Sequence, residues 1–311
     1  MHARMLCFGF TNEGFAAKMS DTLRPDSSRQ GVLYVVATPI GNLEDITYRA
    51  VRILREVNLV ACEDTRQSRK LLDHYGIQAK TVSYHEHNEA EQAEELVARL
   101  LSGTNIAQIS DAGMPGISDP GYRVISRAIA AGIEVVPIPG PSAVITALVG
   151  SGLASDDFQF LGFLPSKTGQ RKTAFEAIRD SQHTLIFYEA PHRIQDAISD
   201  LVTVVGPDRP VVIARELTKV HEEFIRGTSG DLKSLLQARE LKGEITLLIG
   251  KAPAGTATSH DEGLQERLAV IVREQNVDEK AAMKILAREK GTSKSEVYRE
   301  LQREQGRNKR P

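Results

Sequence analysis

From residue 31 onward, short apolar runs rich in β-branched residues alternate with stretches whose apolar positions repeat every three to four residues. The runs at 32–37, 57–61, 106–110 and 133–138 are apolar on both faces, as strands of a parallel sheet covered on both sides must be. Between them, Ala50, Val51, Ile53 and Leu54, and then Ala93, Leu96, Val97, Leu100 and Leu101, trace the single stripe of an amphipathic helix. This β-α-β-α order predicts an α/β domain. A second set follows, with strands at 158–163, 184–188, 211–214 and 245–249 and helices near 171–180, 192–205 and 231–240. Pro139, Pro141, Gly150 and Gly152 punctuate the passage between the sets, which divides the chain into α/β domains over 31–150 and 151–252.

The two ends have a different texture. Residues 1–30 hold no sustained period and read as a disordered extension, with Met19 an alternative start. Small and polar residues at 253–262 read as a linker. Beyond it, 263–306 shows three short helical stripes, Leu264/Leu268/Ile271, Ala281/Ala282/Ile285/Leu286 and Val297/Leu301, with Asp278 and Ser293 as caps. Three short helices in this order resemble a helix-turn-helix, whose last helix would project Lys294, Arg299 and Arg303.

Charge sharpens this division. The whole chain carries a net −2, yet ten of its 39 basic and four of its 41 acidic residues fall in 280–311, so that stretch carries +6 and the preceding 279 residues −8. A basic terminal module on an acidic body is suited to a polyanion, because phosphate contacts release counterions. With 41 % hydrophobic and 26 % charged residues the chain is globular in composition. No apolar run reaches the ~18 residues of a membrane helix, and none forms a secretory leader, so the expected compartment is the cytoplasm. Two cysteines, Cys7 and Cys62, form neither a disulfide framework nor a CxxC pair.

Chemistry concentrates where strands end. Ala37-Thr38-Pro39-Ile40-Gly41-Asn42 follows the first strand, at the sheet edge where open α/β folds bind ligands, and it is neither a dinucleotide fingerprint nor a P-loop. Residues 110–121, SDAGMPGISDPG, pack three glycines and two prolines into a loop that excludes helix and strand. Asp111 and Asp119 lack a third ligand at nearby spacing, so the loop is read as a backbone cradle for an organic group and no metal is predicted. Pro137–Ala143, PIPGPSA, ends a further strand. Three such loops on one sheet describe a cofactor pocket.

Together, ATPIGN, ACEDTRQSRKLL, HEHNE, SDAGMPGISDPG, PIPGPSA, GFLP, FYEAPHR and ARELTK resemble the tetrapyrrole methylase superfamily over roughly residues 31–251. More narrowly they are similar to the branch that methylates the ribose 2'-oxygen of cytidine 1402 in 16S ribosomal RNA. The resemblance implies two class III methyltransferase domains binding S-adenosylmethionine between them, a homodimer, and the 30S subunit's 16S rRNA as substrate. It implies cofactor contacts at Thr38, Pro39, Gly41, Asp111, Ala112, Gly113, Ile117, Ser118, Ser142, Ala143 and Tyr188. Two departures from the branch's usual residues are Ala37 in place of Pro and Met114 in place of Thr.

Methyl transfer from a sulfonium is an in-line displacement in which positioning supplies most of the rate and a base assists. The candidate bases are Glu63, Asp64, His85, His87, Glu189 and His192, with no choice among them from the sequence. His85 and His87, two apart, would share one face of a strand. Candidate RNA contacts are Arg66, His85, His87, Lys167, Arg171, Lys172, Arg193, Lys294 and Arg299, the basic stretch after GFLP being the strongest. Rival readings are a methyltransferase of the same fold acting on a tetrapyrrole or other metabolite, a non-catalytic RNA-binding factor, and a metal-dependent phosphoesterase built on Asp111 and Asp119.

Overall fold

The computed structural model describes residues 30–253, 264–275, 277–289, 293, 294, 296–299 and 301. The expectations for the N-terminal extension, Cys7, the linker and Arg303 lie outside these residues. The chain divides into two compact units, one built from 31–38 and 46–140, the other from 39–45 and 141 onward.

In the first unit, β1 (Leu33–Val36), β2 (Leu59–Cys62), β3 (Thr81–Ser83), β4 (Ile106–Gln108) and β5 (Val135–Ile138) form one sheet in the order β3-β2-β4-β1-β5. Every pairing is parallel. Four helices connect and cover it: α1 (Tyr48–Glu56), α2 (Thr65–His74), α3 (Glu89–Leu101) and α4 (Tyr122–Ala130). Successive strand residues point to opposite faces, so Val36, Val60, Cys62 and Ala107 pack with Ile53 and Leu54 of α1 and Leu72 of α2. Leu33, Leu59, Ala61 and Ile106 pack on the other face with Leu96 and Leu100 of α3 and Val124 of α4. Both faces are dry, which is why these strands read as continuous apolar runs.

The second unit is a mixed sheet of β6 (Phe158–Phe163), β7 (Thr184–Glu189), β8 (Pro210–Arg215), β9 (Glu223–Thr228) and β10 (Ile245–Ile249), in the order β6-β7-β10-β8-β9. Only β6 and β7 are parallel. The helices α6 (Thr168–Ala177), α7 (Ile194–Val205) and α8 (Ser229–Ala238) cover one face through Phe175, Ile198, Leu201, Leu232 and Leu236. The other face receives Val144, Ala147 and Leu148 of α5 (Ala143–Ser151), together with Ile40 and Leu217.

The structure thus departs from the expected domain limits. The contact division falls at Gly140/Pro141, ahead of residue 150, because α5 packs its buried residues on the second sheet. The segment 39–45 also leaves the first domain, since Ile40 is buried in the second unit's core.

Helix starts follow their caps. Thr47, Asp64 and Ser142 accept hydrogen bonds from backbone N–H groups in the first turns of α1, α2 and α5, and Thr228 and Asp231 cap α8 reciprocally. At the C-terminus, α9 (Leu264–Gln275) and α10 (Glu279–Glu289) share a core with residues 297 and 301. The sequence-predicted caps are present, with Asp278 Oδ1 accepting from the Ala281 N–H at 2.7 Å and Ser293 Oγ from the Glu296 N–H at 3.3 Å. No helix among the described residues is long and apolar enough to cross a membrane.

Candidate active site

Because the first sheet is parallel, the carboxyl ends of its strands share one edge, and the loops leaving β1, β2, β3 and β4 place Thr38, Glu63, His85 and the 110–121 segment there. Thr38 and Gly113 form an isolated two-residue bridge: the Thr38 N–H donates to the Gly113 carbonyl at 2.9 Å and the Gly113 N–H to the Thr38 carbonyl at 3.1 Å. Thr38 Oγ1 donates to the Ser110 carbonyl at 3.0 Å, and Ser110 Oγ to the Gly113 carbonyl at 3.1 Å. The Thr38 side chain is therefore buried and committed to the loop's own backbone.

That interlock needs glycine. Gly113 has φ +85°, a left-handed conformation that a side chain disfavours. At the far end of the loop, a Cβ on Gly121 would lie 2.7 Å from Gln108 Nε2 and 2.8 Å from the Gly116 nitrogen. The same end is tied down by Gln108 Nε2, which donates to the Pro120 carbonyl at 3.0 Å, and by the Gly121 N–H, which donates to Glu89 Oε1 at 3.2 Å. Anchored at both ends, the loop leaves Asp111, Ala112, Ile117 and Ser118 exposed. Ser118 also sits at φ +59°, a strained backbone for a residue with a side chain. Rigid, exposed backbone between two anchors is what recognition through main-chain groups requires.

Four carboxyl groups lie at this edge, and their environments separate them. Asp64 caps α2 through the Arg66 N–H at 2.8 Å and pairs with Arg66 Nη2 at 3.3 Å, which holds its carboxyl below the usual range. It is engaged as a cap and is not available as a base. Burial, then the charge of Asp111, pushes Glu63 upward, while His85 opposes. Partial desolvation of its carboxyl also raises Asp111, whose Oδ1 accepts the Asp64 N–H at 3.3 Å. Asp119 moves furthest, to about 6, through burial first and then the charges of Glu63 and Asp111. The sequence reading considered Asp119 only as a metal ligand; its proton affinity depends on Glu63, far away along the chain.

His85 and His87 are not on a strand. They belong to a turn in which the His85 N–H donates to Asn88 Oδ1 at 2.8 Å and the Asn88 N–H to the His85 carbonyl at 3.0 Å. Their rings meet edge to face at 5.9 Å, and the shared strand face expected for them is absent. Among the described residues no group of three or more His, Cys, Asp or Glu is arranged to hold a metal ion. Buried Cys62 has its thiol pushed up, chiefly by burial, and stays protonated.

The remaining candidates lie in the second unit. Ser142 caps α5 and Ala143 is its first residue. Pro39 belongs to the same unit, and Gly41 passes beside 217–219, where a Cβ on it would collide with Lys219 Cγ and lie 2.9 Å from Thr218 Oγ1. Tyr188 is half-buried, edge to face with Phe160 at 4.9 Å and Phe163 at 5.5 Å. Glu189 is buried and ion-paired with Arg193 at 3.1 Å; burial raises its carboxyl, and Ala190 and Arg193 pull it back. A paired, enclosed carboxylate is a poor base for a large substrate, whereas neighbouring His192 is exposed.

Two of the expected RNA contacts are engaged within the protein itself. Arg171 is 2 % exposed, with Nε and Nη2 donating to Asp200 Oδ2 at 2.9 and 2.6 Å. Arg193 donates to the Leu164 carbonyl as well as pairing with Glu189. Lys172 lies 3.6 Å from Asp200 Oδ1, so its charge is partly answered. Lys167, Arg66 and Arg299 are exposed, and Lys294 is partly so.

Comparison with known proteins decides the family. The model for "Tetrapyrrole (Corrin/Porphyrin) Methylases" matches residues 32–233. The chain belongs to the tetrapyrrole methylase family. It is 51 % identical over 220 residues to the "Ribosomal RNA small subunit methyltransferase I" of Halalkalibacterium halodurans, covering 71 % of this chain and 76 % of that protein. Proteins of the same description from Vibrio cholerae and Synechocystis are 47 % identical over 255 residues and 44 % over 256, covering 81 % and 82 % of this chain and 88 % and 92 % of theirs. Among solved structures, the fold matches diphthine synthase, with a TM-score of 0.55 at 15 % identity over 71 % of this chain and 90 % of that one. It also matches the methyltransferase CobJ, with a TM-score of 0.56 at 17 % identity over 71 % of this chain and 95 % of that one. The methylase is an α/β methyltransferase whose anchored Gly-rich loop lies within the matched region.

Proposed function

We propose that this methylase transfers a methyl group from S-adenosylmethionine to the ribose 2'-oxygen of cytidine 1402 in the 16S rRNA of the small ribosomal subunit. The observation that carries the reading is the identity of 44 to 51 % to small-subunit rRNA methyltransferases over 220 to 256 residues, a span that includes the interlocked loop. A homodimer acting on the 30S subunit in the cytoplasm belongs to the same reading.

The chain fits the cofactor on chemical grounds. Backbone groups of Asp111 and Ala112 and the exposed Ile117 and Ser118 would hold it, with Gly113 fixing the loop and Ser142, Ala143 and Tyr188 contributing. When bound, S-adenosylmethionine supplies an electrophilic methyl group on a sulfonium. The loop's task is orientation, worth on the order of 7 to 11 kcal/mol in a well-aligned reaction. Asp119, whose carboxyl is raised to about 6 by burial and then by the charges of Glu63 and Asp111, is the group that accepts the 2'-hydroxyl proton. Lys167, Arg66, Lys294 and Arg299 serve the phosphates of the RNA.

The direct test is transfer of labelled methyl groups to 30S subunits lacking the modification, with free 16S rRNA in parallel and the product nucleoside mapped by mass spectrometry. One 2'-O-methylcytidine is the expected product; methylation of a base, or of small-molecule acceptors alone, would sink the reading. A second expectation concerns the C-terminal helices, whose buried residues form a core of their own. Truncation after Lys251 is expected to leave S-adenosylmethionine affinity within twofold and to weaken 30S binding at least tenfold, with a shallower dependence on salt. Calorimetry and filter binding check the two arms, and loss of cofactor affinity would make the helices part of the cofactor site instead.

A further inference from the structure

The loop joining β6 to α6 contains three successive residues whose carbonyls all accept from guanidinium groups. Arg193 Nη2 donates to the Leu164 carbonyl, while Arg171 Nη1 donates to those of Pro165 at 3.4 Å and Ser166 at 3.2 Å. Arg171 Nη2 also donates to Thr168 Oγ1 at 3.3 Å. Each arginine is answered by a carboxylate from a neighbouring element: Arg171 by Asp200 on α7, and Arg193, which precedes α7, by Glu189 at the end of β7. Two ion pairs therefore hold one loop from behind.

Stability alone does not explain this arrangement. A buried ion pair seldom exceeds apolar residues of similar volume in net stabilisation, because desolvation offsets the attraction. What it supplies is geometry, since a planar guanidinium donates along fixed directions to several acceptors at once. On the outer side of the same loop, residues 166–170 are exposed, and α6 has no acidic residue in its first turn. Lys167, next to the held carbonyls, is exposed with no ion pair among the described residues. A rigid backbone thus carries an ammonium group with no ion pair among the described residues, at a helix start that bears no acid, and the chemistry that suits it is a phosphodiester.

We propose that Arg171 and Arg193 are positioning residues, which make no contact with RNA themselves and fix the 164–168 loop so that Lys167 meets a backbone phosphate of the substrate. The proposal rests on the rRNA reading above and assigns it a specific device. It predicts energetic coupling between a buried arginine and an exposed lysine that do not touch the same group.

The test uses full-length enzyme, labelled S-adenosylmethionine and unmodified 30S subunits, comparing wild type, Lys167→Ala, Arg171→Met and the double variant. KM for the subunit is expected to rise about tenfold in either single variant and no more than a further twofold in the double. The slope of log KM against log salt is expected to become shallower by about one phosphate's worth in each. Cofactor affinity stays within twofold. Arg193→Lys keeps the charge beside Glu189 and loses the reach to Leu164, so it tests the same coupling should Arg171→Met fail to fold. A purely structural role would lower the melting temperature or the active fraction with KM and salt slope unchanged, and that result overturns the proposal. Multiplying penalties in the double variant, or an indifferent Lys167→Ala, overturn it too. Failure of the wild-type enzyme to methylate 30S subunits would instead remove the rRNA reading, before any variant is compared.

Discussion

Gly113→Val is expected to lose S-adenosylmethionine binding by at least about a hundredfold, measured by titration calorimetry. Valine is β-branched, and holding it at the φ of +85° seen here costs on the order of 1 to 3 kcal/mol before any contact is considered. The backbone at this position cannot relax freely, because its N–H and carbonyl are both bonded to Thr38 and its carbonyl also accepts from Ser110. Strain is therefore passed into the loop that carries Asp111, Ala112 and Ile117. Gly76→Val is the matching control, since Gly76 is also left-handed, at φ +61°, yet a Cβ there would meet nothing within 4 Å. The control is expected to share the loss of stability and to keep its cofactor affinity. Wild-type affinity in Gly113→Val would move the cofactor site away from this loop.

Asp119→Asn is expected to slow methyl transfer by about 10²- to 10⁴-fold, the usual contribution of a general base. With its carboxyl raised to about 6, Asp119 is largely ionised at neutral pH and protonated below. Wild-type rate should therefore fall about tenfold per unit as pH drops below about 6, and the variant should lack that limb. Stability should move the opposite way. The folded carboxyl holds its proton more tightly than the unfolded chain, so the stability linked to it is complete below the ordinary value of 3.8 and is lost as pH rises through about 6. The amide suffers no such loss, and Asp119→Asn should be more stable than wild type at pH 7 by about 1 to 2 kcal/mol after solvent screening, with the difference vanishing near pH 3. Thermal unfolding across pH reads this directly. Parallel rate and stability profiles for the two proteins would rule out the assignment.

Strands covered on both faces were legible from their apolar runs: 245–249 coincides with β10 and 184–188 falls within β7. Strands with weaker patterns were not. β9, Glu223–Thr228, is an edge strand paired only with β8, and its charged residues break the run. β3 has three residues and pairs only with β2. α2 hid for a related reason, because it buries only Ser68, Leu71 and Leu72 and is otherwise polar. α5 has the opposite character, apolar nearly all round, and nothing in its own residues says which sheet it will cover.

The 110–121 loop was the most legible part of the site, since glycine frees the backbone for left-handed conformations and proline fixes φ, both local effects that exclude helix and strand. Charged residues were the least legible. Asp64 lies beside Glu63 in sequence, yet one caps a helix and the other has its proton affinity raised by burial. Arg171 sits in a run, Lys167-Thr168-Gly169-Gln170-Arg171-Lys172, that reads as a solvated basic surface. Its partner Asp200 is 29 residues away on another helix, and only their meeting turns a surface charge into a buried clamp.

The amino-acid sequence by itself determined the alternation of strands and helices, the caps, the irregular backbone of the Gly-rich loop and the family, because these rest on periodicity and on backbone freedom within a few residues. Tertiary structure alone decided which carboxylates keep a proton near neutrality, which arginines face solvent and which sheet α5 and Ile40 join. Each of those depends on burial and on charges brought together from distant parts of the chain, and no local pattern records either.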